Sequence, residues 1–388
     1  MKKYTQRKDG RYQAKVHIGK GQYTYLYDTS VKKLDKKVAE LKIKLGKGVD
    51  IAAKHDTFGE WAEMWLKNKK ATVAYKRWTS YKAGIDKFEE IYNTPINKVR
   101  TVDVQAVINE QFADGKSKQT LEIYKMACSQ VFKLAIANRV TEWNPATAVT
   151  IPKGAPQEEK RALTEEEQQW IIEMPHRAQT AAMIMMYAGL RCGELIPLLW
   201  TDIDIERKTI TVNKSVAVEE DGQKIKDGAK TESGERVVYI PDKLVDYLAT
   251  VDRKNNLLVC PSARGKIMTP GAWKSLWNSY LTDLNRTYGD FSNQIVFVKG
   301  VPTQYILPKS KKDTRHPAPF VIRRITAHWL RHTYITMLYL AGVDVMTAKE
   351  QAGHADIKTT MQIYTHLDKK YKVKQIDKLN DFLGQKSV

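Results

Sequence analysis

The stretch from Ile325 to Leu367 constrains the fold of this chain more than any other segment. Its first apolar residues recur at helical spacing: Leu330, Tyr334, Met337, Leu338 and Ala341. This spacing predicts an amphipathic helix. At about 100° per residue, His328, Arg331 and His332 point away from the apolar stripe of that helix. A glycine and two aspartates in capping positions then predict two further short helices, so the stretch forms a compact unit that carries a cationic cluster.

Length and charge indicate several domains and a polyanionic partner. The 388 residues exceed an ordinary single domain, and two or three are expected. Lys plus Arg number 64 against 44 acidic residues, a formal charge of +20, which favours nucleic acid as the partner. Residues 1–55 contain 15 Lys and Arg against 5 Asp and Glu, so +10 of that excess lies there. An N-terminal module for phosphate contact is one explanation, and lysines that only confer solubility are the other.

The cysteines and the apolar runs exclude several other classes. Cys128, Cys192 and Cys260 have no metal-ligand spacing, so neither a disulfide framework nor a zinc site is expected. The N-terminus lacks an apolar signal region, and no apolar run approaches the roughly 20 residues of a membrane span. We therefore expect a cytoplasmic protein without a membrane partner.

The first 55 residues predict a small antiparallel sheet followed by a helix. Tyr12, Ala14, Val16 and Ile18 alternate with polar residues before a glycine-rich turn, and three tyrosines (Tyr23, Tyr25 and Tyr27) alternate after it. A helix is expected over about 30–45. Most of the tyrosines are expected to form the core of the sheet, and the alternative is that they contact DNA.

Residues 56–150 predict a bundle of four or five helices. Thr57 and Glu60 form a capping box, and a second helix is expected over about 74–92. The helix surfaces are basic, which suits a DNA groove and is also common for a solvated face. Residues 151–161, with two prolines and a glycine, predict a linker.

Residues 162–388 predict a mixed helical and β region. Thr164 and Glu167 form another capping box, and strands are expected at 208–212 and 236–240 around a hairpin. Residues 281–324 read as an irregular or β excursion that ends in a basic loop. A DNA or protomer contact and a surface loop remain alternatives for it. Apolar residues at helical spacing in the tail predict a last helix.

The candidate catalytic residues are cationic or phenolic side chains. They are Arg191, Lys230, His328, Arg331, His354 and Tyr364. Each alone has an ordinary structural explanation, such as helix capping for an arginine or core packing for a tyrosine. Together they suit phosphoryl transfer without metal, which needs a nucleophile, cations on the non-bridging oxygens and an acid for the leaving oxygen. The sequence has no carboxylate cluster of the kind that holds two magnesium ions, so no cofactor is expected.

Five motifs occur in one order along the second half of the chain. They are Gly189-Leu190-Arg191-Cys192-Gly193-Glu194-Leu195, Lys230-Thr231, His328-Trp329-Leu330-Arg331-His332-Thr333, Ala352-Gly353-His354, and Tyr364. In this order and spacing they resemble the tyrosine recombinase (phage integrase) family over about residues 162–370. The excursion at 281–324 is longer than the usual connection in that family.

The resemblance implies a fold and a domain organisation. The expected fold is mainly α with small β-sheets (α+β). It comprises an arm-type DNA-binding domain at 1–55 with a three-stranded sheet plus helix, and a helical core-binding (SAM-like) domain at 56–150. The 151–161 linker then leads to a mixed α/β catalytic domain with a C-terminal tail at 162–388. The tail of relatives docks on a neighbouring subunit, and docking in cis is the alternative here.

The resemblance also implies a role for each candidate. Tyr364 would attack a DNA phosphodiester to give a 3′-phosphotyrosyl link. The two arginines, Arg191 and Arg331, would bind the non-bridging oxygens as forks of donors. Lys230 would protonate the leaving 5′-oxygen. The remaining expected roles are acid/base partner for His328, phosphate contact for His354, support of Arg191 for Glu194, and structural packing for His332.

The implied function is that of a site-specific recombinase, an integrase/excisionase of a mobile element that needs neither metal nor ATP. Its expected partners are double-stranded DNA attachment sites of core and arm types, three further copies in a homotetramer, an excisionase or directionality factor, and a host DNA-bending protein. It would work on the bacterial nucleoid. Two alternatives remain: a type IB topoisomerase-like enzyme that relaxes DNA, and a non-catalytic DNA-binding regulator on the same fold.

Overall fold

The computed structural model describes most of the chain and divides it into two compact units. The described residues are 4–19, 21–46, 56–157, 161–227, 235–253, 256–298, 301–307, 318–354 and 356–364. The units are Met1–Glu158 and Glu159–Val388. Several predictions lie outside the described residues: Lys230, the basic loop at 309–315, and the tail helix.

The N-terminal segment forms an antiparallel sheet covered by one helix. Its elements are β1 (Thr5–Gln6), β2 (Tyr12–Gly19), β3 (Gln22–Asp28) and α1 (Val31–Gly46), with the strands in the order β1-β2-β3. Ala14 and Val16 are buried, as is Leu34 of α1. Because side chains alternate along a strand, this buried face includes Leu26, which pairs with Ala14. The predicted sheet and helix are present at nearly the predicted positions.

The expectation that most of the tyrosines form the core of this sheet was wrong. Tyr23 and Tyr25 are 51% and 45% exposed. They lie opposite His17 and Lys15 in the register, on the face that α1 does not cover. The Lys15 ammonium lies 4.1 Å from the centroid of the Tyr23 ring. The small residues of β2 pack against the helix instead, and the uncovered face is aromatic and basic.

The remainder of the first unit is a helical bundle. Its helices are α2 (Phe58–Thr72), α3 (Tyr75–Ile85), α4 (Thr101–Ala113) and α5 (Lys118–Ala137), with short 3₁₀ segments at Asp86–Ile91 and Ile96–Lys98. The predicted capping box is present, because Thr57 accepts from the backbone N–H of Glu60 and the Glu60 carboxylate accepts from that of Thr57. The predicted single helix over 74–92 was wrong, since the chain leaves helical geometry at Phe88. That break buries the Phe88 ring beside Phe58, with 5.9 Å between centroids.

The predicted linker is packed at both of its described ends. Ala155 is buried, and the Pro156 carbonyl accepts from the N–H of Lys118 in the first unit. In the second unit, the Arg161 guanidinium lies 4.5 Å from the centroid of the Trp329 ring and binds the Glu167 carboxylate. The boundary between the two units therefore falls in a segment whose flanks are anchored.

The second unit combines helices with small antiparallel sheets. Its elements are α6 (Glu165–Glu173), α7 (Gln179–Ala188), α8 (Cys192–Leu195), β4 (Ile203–Asp204), β5 (Thr209–Val212), β6 (Lys214–Glu219), β7 (Gly222–Asp227), β8 (Arg236–Tyr239), α9 (Asp242–Thr250), α10 (Pro270–Tyr288), β9 (Ile295–Val298), β10 (Val301–Gln304), α11 (Ala327–Leu340), α12 (Val345–Ala352) and α13 (Ile357–Tyr364). The sheets are β4-β5-β8, β6-β7 and β9-β10. The expected α+β fold is confirmed.

Helix α7 lies at the centre of this unit and packs against α11. From Ala181 to Ala188 all of its residues are buried, so its sequence is apolar on every face. The predicted excursion at 281–324 begins later than expected, because α10 continues to Tyr288. Part of it is the β9–β10 hairpin, in which Val301 pairs with Val298. Among the described helices, none is long and apolar enough to cross a membrane.

Candidate active site

The first arginine of the site is placed by a glycine turn. Helix α7 ends at Gly189, whose φ of 65° is left-handed, and a Cβ there would come within 2.3 Å of the Tyr334 ring. Only glycine fits this turn. Arg191 follows as the N-cap of α8, and its side chain is 44% exposed. The local sequence thus presents one guanidinium at the surface of a buried turn.

Glu194 contacts that arginine. Its carboxylate accepts from the backbone N–H of Arg191 at 2.9 Å and from Nη1 of Arg191 at 2.8 Å. Burial alone would raise the pKa of Glu194, but hydrogen bonding and charge from Arg236, and then from Arg191, lower it to about 2. The carboxylate is therefore ionised at neutral pH although its side chain is only 9% exposed.

Arg236 is a member of this cluster that the sequence reasoning missed. Its Nη1 and Nη2 donate to the two carboxylate oxygens of Glu194 at 3.2 and 2.9 Å, and its Nε donates to the Gln351 carbonyl at 3.1 Å. Its side chain is 7% exposed. The alternation of residues in β8 could have indicated it, because Arg236 shares the inward face of that strand with the buried Val238. An arginine on a buried face requires a charged or hydrogen-bonding partner.

Arg331 is buried, in contrast to the prediction that it lies beside the histidines away from the buried stripe of α11. It is 2% exposed, and its two terminal nitrogens donate to the carbonyls of Gly189 and Ala352. The prediction assumed one buried face, but α7 and the pair α12 and α13 all pack against this helix. Burial and the neighbouring Arg191 lower the pKa of Arg331 to about 9, so it stays charged at neutral pH.

The three arginines converge on the C-terminal end of α12. Arg236, Arg331 and Arg191 donate to three successive carbonyls, those of Gln351, Ala352 and Gly353. The last carbonyls of a helix lack intrahelical partners and carry the negative end of its dipole. Gly353 ends the helix with a left-handed φ of 62°. These carbonyls and the Glu194 carboxylate hold the three guanidinium groups together, two of them buried and that of Arg191 partly exposed.

His354 follows that helix end and is held by a threonine that the sequence reasoning also missed. Its Nδ1 lies 2.8 Å from Oγ1 of Thr360, and both side chains are buried. Burial, then the charges of Arg331 and Arg191, lower the pKa of His354 to about 4. The imidazole is therefore neutral at neutral pH. Thr360 has no signal in the sequence beyond the periodicity of α13.

The remaining candidates are placed less completely. His328 is exposed in the first turn of α11, one turn before Arg331, and its ring contacts that of His332 edge-on, with 4.8 Å between centroids. Tyr364 is the last residue of α13, and its side chain lies outside the part of the chain that the structure describes. The described residues thus bring together Arg191, Glu194, Arg331 and His354.

Comparison with known proteins assigns this arrangement to a family. A sequence model of the phage integrase family matches residues 157–297 and 304–371, which is more than half of the chain. The chain belongs to the phage integrase family. A second model, the N-terminal SAM-like domain of phage integrases, matches residues 57–112. This family consists of tyrosine recombinases, and the chain is accordingly a site-specific recombinase that cleaves and rejoins DNA strands.

Individual relatives agree with this assignment over nearly the whole chain. A tyrosine recombinase XerC-like protein from Caldanaerobacter subterraneus subsp. tengcongensis is 26% identical and covers 95% of this chain and 96% of its own length. The transposase from transposon Tn916 of Enterococcus faecalis is 23% identical, and the match covers 93% of this chain and 90% of the transposase.

Solved structures show the same fold at low sequence identity. The Tn1549 transposon integrase in complex with transposon right end DNA is 20% identical, with a TM-score of 0.65 over 84% of this chain and 100% of that chain. A lambda integrase tetramer bound to a Holliday junction is 16% identical, with a TM-score of 0.50 over 95% of this chain and 98% of the lambda integrase chain.

Proposed function

We propose that this recombinase integrates and excises a mobile genetic element and that Tyr364 is its nucleophile. The Tyr364 hydroxyl gives its proton to the proposed acid/base partner, His328, as its oxygen attacks the scissile phosphorus. The bond from phosphorus to the 5′-oxygen breaks, and Lys230 gives a proton to that leaving oxygen. A 3′-phosphotyrosyl ester and a free 5′-hydroxyl result. One ester bond replaces another, so the attack of a second 5′-hydroxyl reverses the step without ATP.

The observation that carries this proposal is the guanidinium cluster with a single accessible member. Arg191 is nearly half exposed, whereas Arg236 and Arg331 are buried beside it. A phosphate that approaches Arg191 is therefore attracted by the positive charge of all three guanidinium groups. Arg331 uses two of its five N–H donors on carbonyls, which leaves others for a non-bridging oxygen.

The neutral His354 suits a hydrogen bond to the phosphate. If the Thr360 hydroxyl donates to Nδ1, the imidazole carries its proton on Nε2 and donates from there. A neutral donor stabilises the non-bridging oxygen without adding another cation to the arginine cluster. His328, in the exposed first turn of α11, serves as the acid/base partner.

Assembly and accessory partners complete the proposal. Strand exchange between two attachment sites needs four active sites, so we expect a homotetramer on DNA. The lambda integrase structure is such a tetramer on a Holliday junction. A directionality factor and a host DNA-bending protein would set the balance of integration and excision on the bacterial nucleoid. The helical bundle would bind core sites.

The N-terminal module would bind arm sites through the uncovered face of its sheet. Tyr23, Tyr25 and Lys15 lie on that face. Strands can read the major groove, and lysines contact phosphates.

The test is covalent capture on a nicked suicide substrate, from which the 5′-hydroxyl diffuses away after cleavage. The wild type should accumulate a protein–DNA adduct, and Tyr364→Phe should bind the same DNA with unchanged affinity but form none, since it lacks the attacking oxygen. An adduct at the wild-type level in Tyr364→Phe would disprove the assignment of the nucleophile. Mixing two attachment-site DNAs of different length then separates a recombinase, which yields joined products of new length, from a topoisomerase-like enzyme.

A further inference from the structure

Arg236 is buried in the site, and each nitrogen of its guanidinium donates to a protein acceptor. Its side chain is 7% exposed, against 44% for Arg191. Its Nη1 and Nη2 donate to the Glu194 carboxylate and its Nε donates to the Gln351 carbonyl. We therefore expect Arg236 to act on a bound phosphate through these partners.

Glu194 connects the two arginines. Its Oε1 accepts from Arg191 Nη1 and from Arg236 Nη1, and its Oε2 accepts from Arg236 Nη2 and from the backbone N–H of Arg191. The paired bonds from Arg236 fix the plane of the carboxylate, because a fork of two donors leaves a carboxylate little freedom to rotate. The orientation of the carboxylate in turn fixes the Arg191 guanidinium.

The contact with Gln351 reaches a second part of the site. Gln351 is in the last turn of α12, and its side-chain oxygen also accepts from the backbone N–H of Tyr239 in β8. The Arg236 guanidinium packs directly against Gly353, where a Cβ would come within 2.7 Å of Nη1 and 2.8 Å of Cζ. Arg236 therefore supports the turn that presents His354.

We propose that Arg236 is a positioning residue for DNA cleavage, which holds Arg191 through Glu194 and holds the Gly353–His354 turn through the Gln351 carbonyl. The inference rests on the proposed cleavage reaction. Lysine cannot replace Arg236, since an ammonium cannot bind both oxygens as a planar fork.

The experiment compares Arg236→Met and Arg236→Lys with the wild type on two suicide substrates. One has an ordinary scissile phosphate, and the other has a methylphosphonate, in which a methyl group replaces one non-bridging oxygen and removes the negative charge. The matched control is Arg207→Met, because Arg207 is 84% exposed and pairs only loosely with Asp204 at 3.7 Å. DNA affinity, the rate constant of adduct formation at saturating protein, and thermal unfolding are measured for each protein.

We expect Arg236→Met to bind DNA within about threefold of the wild type and to form the adduct about 30-fold more slowly, since small misplacements of catalytic groups cost up to about 100-fold. On the methylphosphonate the difference from wild type should shrink to about threefold or less, because the reaction no longer depends on oriented guanidinium charge. A purely structural role would slow both substrates equally. Arg207→Met should match the wild type.

Two results would overturn the inference: a wild-type rate in Arg236→Met, or an equal loss on both substrates. If Arg236→Met lacks a cooperative unfolding transition, Arg236→Lys decides. That variant keeps the charge, and we expect a loss of about tenfold that the methylphosphonate again relieves; an unimpaired Arg236→Lys overturns the inference. Failure of the proposed function looks different, because the wild type and Arg207→Met would then also lack a Tyr364-dependent adduct.

Discussion

Replacing Glu194 by Gln should destabilise the second unit strongly. The carboxylate lies between two guanidinium groups, and their hydrogen bonds and charges outweigh burial to lower its pKa from 4.5 to about 2. At about 1.36 kcal/mol per pKa unit, that shift corresponds to about 3 kcal/mol of stabilisation at pH 7. Glutamine would also direct an amide N–H₂ toward guanidinium donors. Breaking a buried ion pair from one side commonly costs about 3–5 kcal/mol, and we expect a loss in that range.

The pH dependence of this difference has a definite sign. The pKa of Glu194 is lower in the folded protein than in the unfolded chain, so its stabilising contribution is complete above about pH 4.5 and is lost as the pH falls toward about 2. Glutamine does not titrate. The difference in the free energy of unfolding between wild type and Glu194→Gln should therefore be largest at pH 7 and should narrow below pH 4.5.

Urea unfolding followed by tryptophan fluorescence at pH 7, 5, 4 and 3 measures this difference. Glu165→Gln is the matched control, because Glu165 is exposed in the first turn of α6 and its charge there contributes at most about 1 kcal/mol through the helix dipole. The reasoning is refuted if Glu194→Gln loses less than about 1 kcal/mol at pH 7. It is equally refuted if the difference at pH 3 is as large as at pH 7.

Two further variants test the other parts of the molecule. Thr360→Val keeps the shape of the side chain but leaves His354 Nδ1 without its hydroxyl partner, which costs about 1–3 kcal/mol for a buried group. Adduct formation should slow at least several-fold while DNA affinity is retained. An unchanged adduct rate would show that this contact does not orient His354. The double variant Tyr23→Ser/Tyr25→Ser should weaken binding to arm sites in gel-shift assays while cleavage of core sites persists. The control Ile43→Ser alters a similarly exposed residue of α1 and should bind arm sites normally. Retained arm-site binding in the double variant would exclude the uncovered sheet face as the contact surface.

Interactions within one turn of a helix could be predicted from the sequence. The capping boxes at Thr57 and Thr164 are present as predicted. The contact of Glu194 with Arg191 follows from a spacing of three residues. Such pairs are determined by backbone geometry that the local sequence already specifies, so no knowledge of the tertiary structure is needed.

Contacts between distant elements could not be predicted in this way. Arg236 meets Glu194 only because β8 and α8 come together in the folded unit. The burial of Arg331 depends on how many elements pack around α11, which periodicity does not reveal. The tyrosines of β3 illustrate a third limit. Both faces of that sheet carry side chains that could form a core, and only the position of α1 decides that Val16 is buried and Tyr25 exposed.

The charge of the assembled cluster suits the transition state of the proposed reaction. Three arginines and one carboxylate leave a net of two positive charges, and the neutral His354 adds none. A phosphodiester carries one negative charge, whereas attack by the tyrosine oxygen places more negative charge on the non-bridging oxygens. In the proposed reaction, we therefore expect the fixed cations to interact more strongly with the transition state than with the substrate. Because the α12 carbonyls already hold the guanidinium groups in place, little reorganisation is needed when DNA arrives. Any substitution that frees those guanidinium groups should slow cleavage more than it weakens DNA binding.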